Sequence, residues 1–174
     1  MVAELGHTGQ NTDVCDIGCG YGALLQFLAT RHRRVTVDYL GVDLSASMIA
    51  AANSLWADHP SAEFLVSSKC PRQSDYSIAS GIFNVKQNES FSDWSHFVST
   101  TLDDMWANSS EGLAVNFLAP PSHHVDVVPQ LYRVEPKVWV SYCSESLGAD
   151  VQLIAGYGMP EFTVIARRRQ IGRA

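Results

Sequence analysis

The sequence predicts an α/β fold: a doubly wound, seven-stranded, mostly parallel sheet in a three-layer α-β-α arrangement, ending in an antiparallel hairpin. Three observations carry this. An apolar run at residues 13–17 meets a glycine turn and then a helical segment. Strand-like and helix-like segments alternate through five strands. Two closing apolar runs, at 151–155 and 162–167, are joined by Gly156-Tyr157-Gly158-Met159-Pro160-Glu161, short enough for a hairpin.

Taken in order, residues 1–12 are polar and glycine-containing and read as a flexible lead-in. The first strand covers 13–17. The first helix runs from Gly22 to about His32 with Leu24, Leu25, Phe27 and Leu28 as its apolar face. Arg31, Arg33 and Arg34 place positive charge at its C-terminus, where the helix dipole favours it. A second strand, from about Val35 to Val42, delivers Asp43 at its tip. Ser45 can cap the helix from Ala46 to Trp56, which turns Met48 and Ile49 inward. Residues 58–61 form a turn and 62–66 a short third strand. Residues 67–74 are polar and broken by Pro71, unsuited to a long helix.

The fourth strand, 76–79, ends at Ser80-Gly81 and an apolar lip, Ile82-Phe83-Asn84-Val85. A helix over 92–107, with Ser92 as its N-cap, carries Trp94, Phe97, Val98, Leu102, Met105 and Trp106. After a turn at 108–112 comes the fifth strand, 112–118. Residues 119–134 make a long connection holding His123, His124 and Tyr132, and long loops are often functional. The last helix, 135–147, stops at Gly148.

A chain of 174 residues, 46% apolar, suits one domain with a real core spanning 1–174. Its net charge of −6 argues against nucleic acid or an anionic membrane as partner, and Arg167-Arg168-Arg169 reads as a solvated basic end. The cysteines, Cys15, Cys19, Cys70 and Cys143, show no C-x-x-C pairing, so neither zinc nor a disulfide framework is expected. No histidine is spaced with a carboxylate as metal ligands would be, so the expected metal is none. Without an apolar leader or a membrane-length run, a cytoplasmic location is expected.

The chemistry concentrates at Gly18, Gly20 and Gly22. Glycine lets the chain turn sharply and lets a ligand approach closely, and the following helix offers free N–H groups. Gly18, Gly20 and Ala23 also satisfy the G-x-G-x-x-A dinucleotide pattern, so the spacing alone leaves the cofactor open. Asp16 beside the turn would repel a pyrophosphate and attract a ligand carrying an ammonium and a sulfonium. That favours S-adenosylmethionine (SAM). Asp43, about 25 residues after Gly18, stands where an acid on the neighbouring strand tip would meet a ribose, and Leu44 and Met48 could flank an adenine ring.

The stretches Val14-Cys15-Asp16-Ile17-Gly18-Cys19-Gly20-Tyr21-Gly22 and Gly41-Val42-Asp43-Leu44-Ser45, with the closing hairpin, resemble the Rossmann-like class I SAM-dependent methyltransferases. Residues 79–85, 112–118 and 156–163 are similar to a narrower group of small bacterial methyltransferases of mostly unassigned substrate. The resemblance implies SAM as cofactor and S-adenosylhomocysteine (SAH) as product. It implies that Gly18, Cys19 and Gly20 meet the methionine part and that Asp16 favours its ammonium. It also implies that Asp43 holds the ribose, that Leu44 and Met48 pack on adenine, and that Ser80 sits where cofactor and substrate meet. Two departures stand out. Relatives usually carry an acid after the third strand, where this chain has Ser67-Ser68-Lys69; Ser68 can accept a hydrogen bond but without charge assistance. Relatives also carry lid helices before the first strand, where this sequence has twelve residues; the expectation is an open site, one covered by a partner or second copy, or a truncated reading frame.

The expected function is methyl transfer from SAM to a small-molecule or sugar acceptor. His123 or His124 is the candidate base, and Tyr132 the candidate lining of the acceptor pocket. Two alternatives stand beside it: an NAD(P)-binding oxidoreductase, and a SAM-binding protein without efficient catalysis.

Overall fold

Strands β1 (Thr12–Ile17), β2 (Val37–Asp43), β3 (Ala62–Val66), β4 (Ser74–Ala79), β5 (Ser109–Leu118), β6 (Asp150–Ala155) and β7 (Glu161–Arg167) hydrogen-bond into one sheet. Their order is β3-β2-β1-β4-β5-β7-β6. β1 to β5 run parallel, and β7 is antiparallel to both β5 and β6. The computed structural model describes residues 12–32, 36–121 and 128–169. Residues 1–11 of the lead-in, Arg33, Arg34, His123 and His124 therefore lie outside the described residues, while Thr12 already belongs to β1.

Strands buried on both faces must be largely apolar on both, and β1 and β2 are, apart from the buried pair Asp16 and Tyr39. Cys15, Ile17, Leu40 and Val42 point to one side, joining Ala79, Val115, Phe117 and Val164 in the larger core. That core is covered by α3 (Phe91–Ala107) through Val98, Leu102 and Met105, and by Trp139 of α4 (Pro136–Ser141). Val14, Tyr39 and Ile78 point to the other side, under Leu25 and Leu28 of α1 (Ala23–Arg31) and Ile49 and Ala52 of α2 (Ala46–Leu55). Strand order reverses between β1 and β4, and such switch points open a crevice at the carboxyl ends of the strands. The lip after β4 is anchored there through Phe83. Phe83 stacks on Phe117 at 5.4 Å, Phe117 stacks on Trp139 at 5.5 Å, and Trp94 Nε1 donates to the Phe83 carbonyl at 2.9 Å.

Several expectations are corrected. The N-cap of α3 is Ser90, not Ser92: its Oγ accepts from Asp93 N–H at 3.0 Å and donates to the Asp93 carboxylate at 2.6 Å. The two residues sit three positions apart, the reach of a capping box, so Ser92 falls inside the first turn. The turn at 108–112 is absent. Asn108 closes α3 and β5 starts at once, because Ser109 Oγ donates to the Met105 carbonyl at 2.7 Å. The last helix changes pitch after Ser141 into a π-helical turn, Tyr142–Ser146, before Gly148 in the left-handed region.

The expectation of no disulfide is also overturned. Cys15 is joined to Cys70 with their Cα atoms 6.2 Å apart, within the normal range for a bridge. Cys15 faces the larger core from β1, and Cys70 sits in the loop between β3 and β4. The two are 55 residues apart, and only the sheet brings them together.

Candidate cofactor and acceptor site

Beyond Ile17 the chain turns at Gly18, whose φ is +74° and whose N–H donates to the Val42 carbonyl at 2.8 Å. A Cβ at Gly18 would collide with Ile82 Cγ2, so only glycine lets the lip close on the turn. Gly20 N–H donates to Asp43 Oδ2 at 3.0 Å, and Ser45 N–H donates to Asp43 Oδ1 at 2.8 Å. Asp43 thus ties the glycine turn to the start of α2. Each carboxylate oxygen keeps a lone pair for a ligand. Around it lies a cleft of about 260 Å³, with Gly18, Asp43, Leu44, Ser68, Ile82 and Trp94 among its walls.

Asp16 lies deeper than the sequence suggests. Its side chain is 4% exposed, and Tyr39 Oη donates to Oδ2 at 2.5 Å. Burial raises its pKa from 3.8 to about 6; the Tyr39 hydrogen bond opposes that rise and the Asp43 charge adds to it. It is a sealed carboxyl beneath the turn rather than an open lure for an ammonium. Burial likewise drives the Tyr39 phenol upward, so it stays protonated and donates. Sequence reasoning passed over Tyr39. The available signal was a tyrosine within an apolar strand, whose buried hydroxyl must find a partner.

The remaining candidates separate. Leu44 lines the cleft and is largely exposed; Ser68 lines its mouth. Met48 is exposed on α2 and does not line it. Cys19 turns its side chain into the core under α1, where burial pushes its thiol up to about 12, so only its backbone belongs to the turn. Ser80 lies in a different cavity, of about 170 Å³, with Asn116, Tyr157, Met159, Glu161 and Thr163. Tyr132 is corrected outright. It is fully buried, its ring packs 4.9 Å from Phe91, and its hydroxyl lies 2.9 Å from Ser95 Oγ. It braces the lip by donating its N–H to the Asn84 carbonyl at 2.9 Å.

The donor set around the larger cleft fits an adenosylated cofactor. A carboxylate with free lone pairs can receive paired ribose hydroxyls, Leu44 and Ile82 offer apolar walls to a flat base, and Ser68 offers a hydroxyl. Comparison with known proteins agrees. Residues 14–87 match the family described as Methyltransferase domain. The chain is 35% identical over 153 residues to "Putative methyltransferase Rv1506c" of Mycobacterium tuberculosis (strain ATCC 25618 / H37Rv), covering 88% of this chain and 91% of that protein. Among solved structures it is similar to magnesium protoporphyrin IX methyltransferase (ChlM) from Synechocystis PCC 6803 with bound SAH. There the TM-score is 0.67 at 16% identity, over 91% of this chain and 75% of that one. A SAM dependent methyltransferase from Aquifex aeolicus gives a TM-score of 0.63 at 20% identity, over 95% of this chain and 86% of that one. With its strand order, its glycine turn and its carboxylate-bearing cleft, the chain belongs to the class I SAM-dependent methyltransferases.

Proposed function

We propose that the chain transfers the methyl group of SAM to a small-molecule acceptor, a compact metabolite or sugar, at the carboxyl end of the sheet. The observation that carries this is the pair of cavities flanking one turn. Ile82 walls the cleft that holds Asp43, and Ser80, two residues earlier, opens on the smaller cavity. Donor and acceptor can thus be held on adjoining faces of the Ser80-Gly81-Ile82 turn. The acidic chain and the modest size of both cavities favour a small acceptor over a polymer.

The sulfonium supplies an already activated methyl, so the hard chemistry resides in the cofactor. The chain's residues position. Asp43 holds the ribose and the Gly18–Gly20 backbone meets the methionine part, Trp94 and Phe83 fix the lip, and Ile82 walls the cleft beside the turn. Positioning of this kind can remove on the order of 7–11 kcal/mol from a barrier. His123 or His124 is the proposed base for an acceptor that must lose a proton.

Calorimetric titration with SAH, SAM and NAD tests the cofactor side. Micromolar SAH binding with no NAD response is expected, and the reverse would restore the oxidoreductase alternative. SAH release across a panel of sugars, amines and phenols tests the acceptor side. Tight SAH binding with no turnover on any of them would leave a SAM-binding protein without catalysis. If turnover occurs but His123→Ala and His124→Ala both leave it unchanged, the base role is lost.

A further inference from the structure

Glu161 opens β7 beside the hairpin, with its half-buried carboxylate on the smaller cavity. Asn116 Nδ2 donates to Glu161 Oε2 at 3.0 Å, and Asn116 Oδ1 accepts from Gly81 N–H at 2.7 Å. The Asn116 amide is therefore fixed from both ends, its NH₂ toward the carboxylate and its oxygen on the turn after β4. Thr163 pairs with Asn116 across the strands, and its Oγ1 lies 3.2 Å from Tyr157 Oη, bringing two more hydroxyls to the cavity. Ile78, Ala114 and Met159 supply apolar walls.

Glu161 has no ion-pair partner among the described residues, whose salt bridges are Lys69 with Asp104, and Arg72 with Asp38 and Glu63. The Arg133 guanidinium donates to the Ala119 carbonyl at 2.9 Å instead. A carboxylate drawn partly out of water and answered by one neutral amide is under-compensated. A ligand ammonium answers it with a charge-assisted hydrogen bond. The cavity, about 170 Å³, is below the ~300–1,000 Å³ of a whole-ligand site, so it receives one end of a molecule.

We propose that this cavity binds the ammonium-bearing end of the methyl acceptor. Glu161 takes the charge, and the Ser80, Tyr157 and Thr163 hydroxyls select for neighbouring hydroxyl groups, the chemistry of an amino sugar. The proposal rests on the methyl-transfer reading above and narrows its acceptor class. Asn116 then acts on both sides of the turn. The amide that orients Glu161 also holds Gly81, so the acceptor end and the cofactor-side lip share one polar link.

The test uses ¹⁵N-labelled protein saturated with SAH, titrated at about pH 6.5 with glucosamine, whose amine is then protonated, and with glucose as the neutral counterpart. Glucosamine is expected to shift the amides of Ser80, Gly81, Asn116 and Thr163, with glucose at least tenfold weaker. Glu161→Gln should erase that difference while calorimetric SAH affinity stays. Equal responses to the two sugars, no response to either, or an unchanged preference in Glu161→Gln would overturn the proposal. Should Glu161→Gln fail to fold, Met159→Trp, on the exposed hairpin, fills the cavity and must abolish the glucosamine response; a retained response overturns the proposal. Absence of SAH binding sinks the methyl-transfer reading and this proposal together, whereas SAH binding without an amine response sinks this proposal alone.

Discussion

Tyr39 Oη donates a 2.5 Å hydrogen bond to Asp16 Oδ2, and the two side chains lie sealed beneath the glycine turn. Burial raises the Asp16 pKa from 3.8 to about 6, so between those values the folded chain holds a proton that the unfolded chain has released. The Asp16 contribution to stability must therefore fall as pH rises from about 4 to about 6. Asp16→Asn keeps an acceptor for Tyr39 and carries no charge. We expect its stability relative to the parent to rise across that window, by up to about 3 kcal/mol. Urea unfolding at pH 4, 5, 6 and 7 checks this; a difference independent of pH would mean that Asp16 feels no desolvation.

Asp43 makes two contacts with backbone N–H groups, at Gly20 and Ser45, and lines the cofactor cleft. Asp43→Asn leaves one acceptor atom where two stood. SAH affinity should fall roughly 10- to 100-fold, about 1.4–2.8 kcal/mol, with a modest loss of stability. Calorimetry and a melting curve separate the two effects. An affinity loss matched wholly by unfolding would assign Asp43 to scaffolding alone.

Gly18 has a φ of +74°, and Ile82 occupies the space where a side chain would go. Gly18→Ala should cost at least about 2 kcal/mol, combining backbone strain with the clash. Adding Ile82→Ala relieves only the clash, so the double variant should recover part of the loss and not all of it. Full recovery would show that the left-handed backbone costs nothing here.

The Cys15–Cys70 bridge closes a sequence separation of 55 residues. Chain-entropy arguments put its contribution at about 4 kcal/mol. Intact mass under non-reducing conditions should be two hydrogens below the thiol value. Reduction and Cys70→Ser should lower stability by similar amounts and weaken SAH binding, because the loop carrying Cys70 also carries Ser67 and Ser68 of the cleft. Equal stability in oxidised and reduced protein would show that the bridge contributes nothing.

What was legible in the sequence was local. The β1–turn–α1 unit is a run of neighbours, and the periodicities of β2, α2 and α3 need no distant information. The position of β7 between β5 and β6 is not legible in the two closing runs, because a hairpin alone does not say which of its strands inserts. What failed was non-local or depended on which way a side chain points. Tyr132 shares a loop with histidines, yet its ring fills a hole beside Phe91 that the sequence does not show. Ser80 and Ile82 follow one strand within two residues but line different cavities. Cys15 and Cys70 meet only once β1 and the β3–β4 loop are in place. Ser90 and Ser92 are equally good caps by type, and Asp93, three residues after Ser90, settles it.

The insertion of β7 bears on how the chain comes to be folded. Among the described residues β6 hydrogen-bonds only to β7, and β5 uses β7 as its antiparallel neighbour, from Gly112 opposite Arg167 to Leu118 opposite Glu161. During synthesis β5 therefore emerges with one edge open, and β6 follows with nothing to pair with. Both wait until Arg167 has left the ribosome. An interrupted chain ending before Glu161 would display Leu113, Val115 and Phe117 along an unpaired edge, the kind of surface that recruits other unfinished chains.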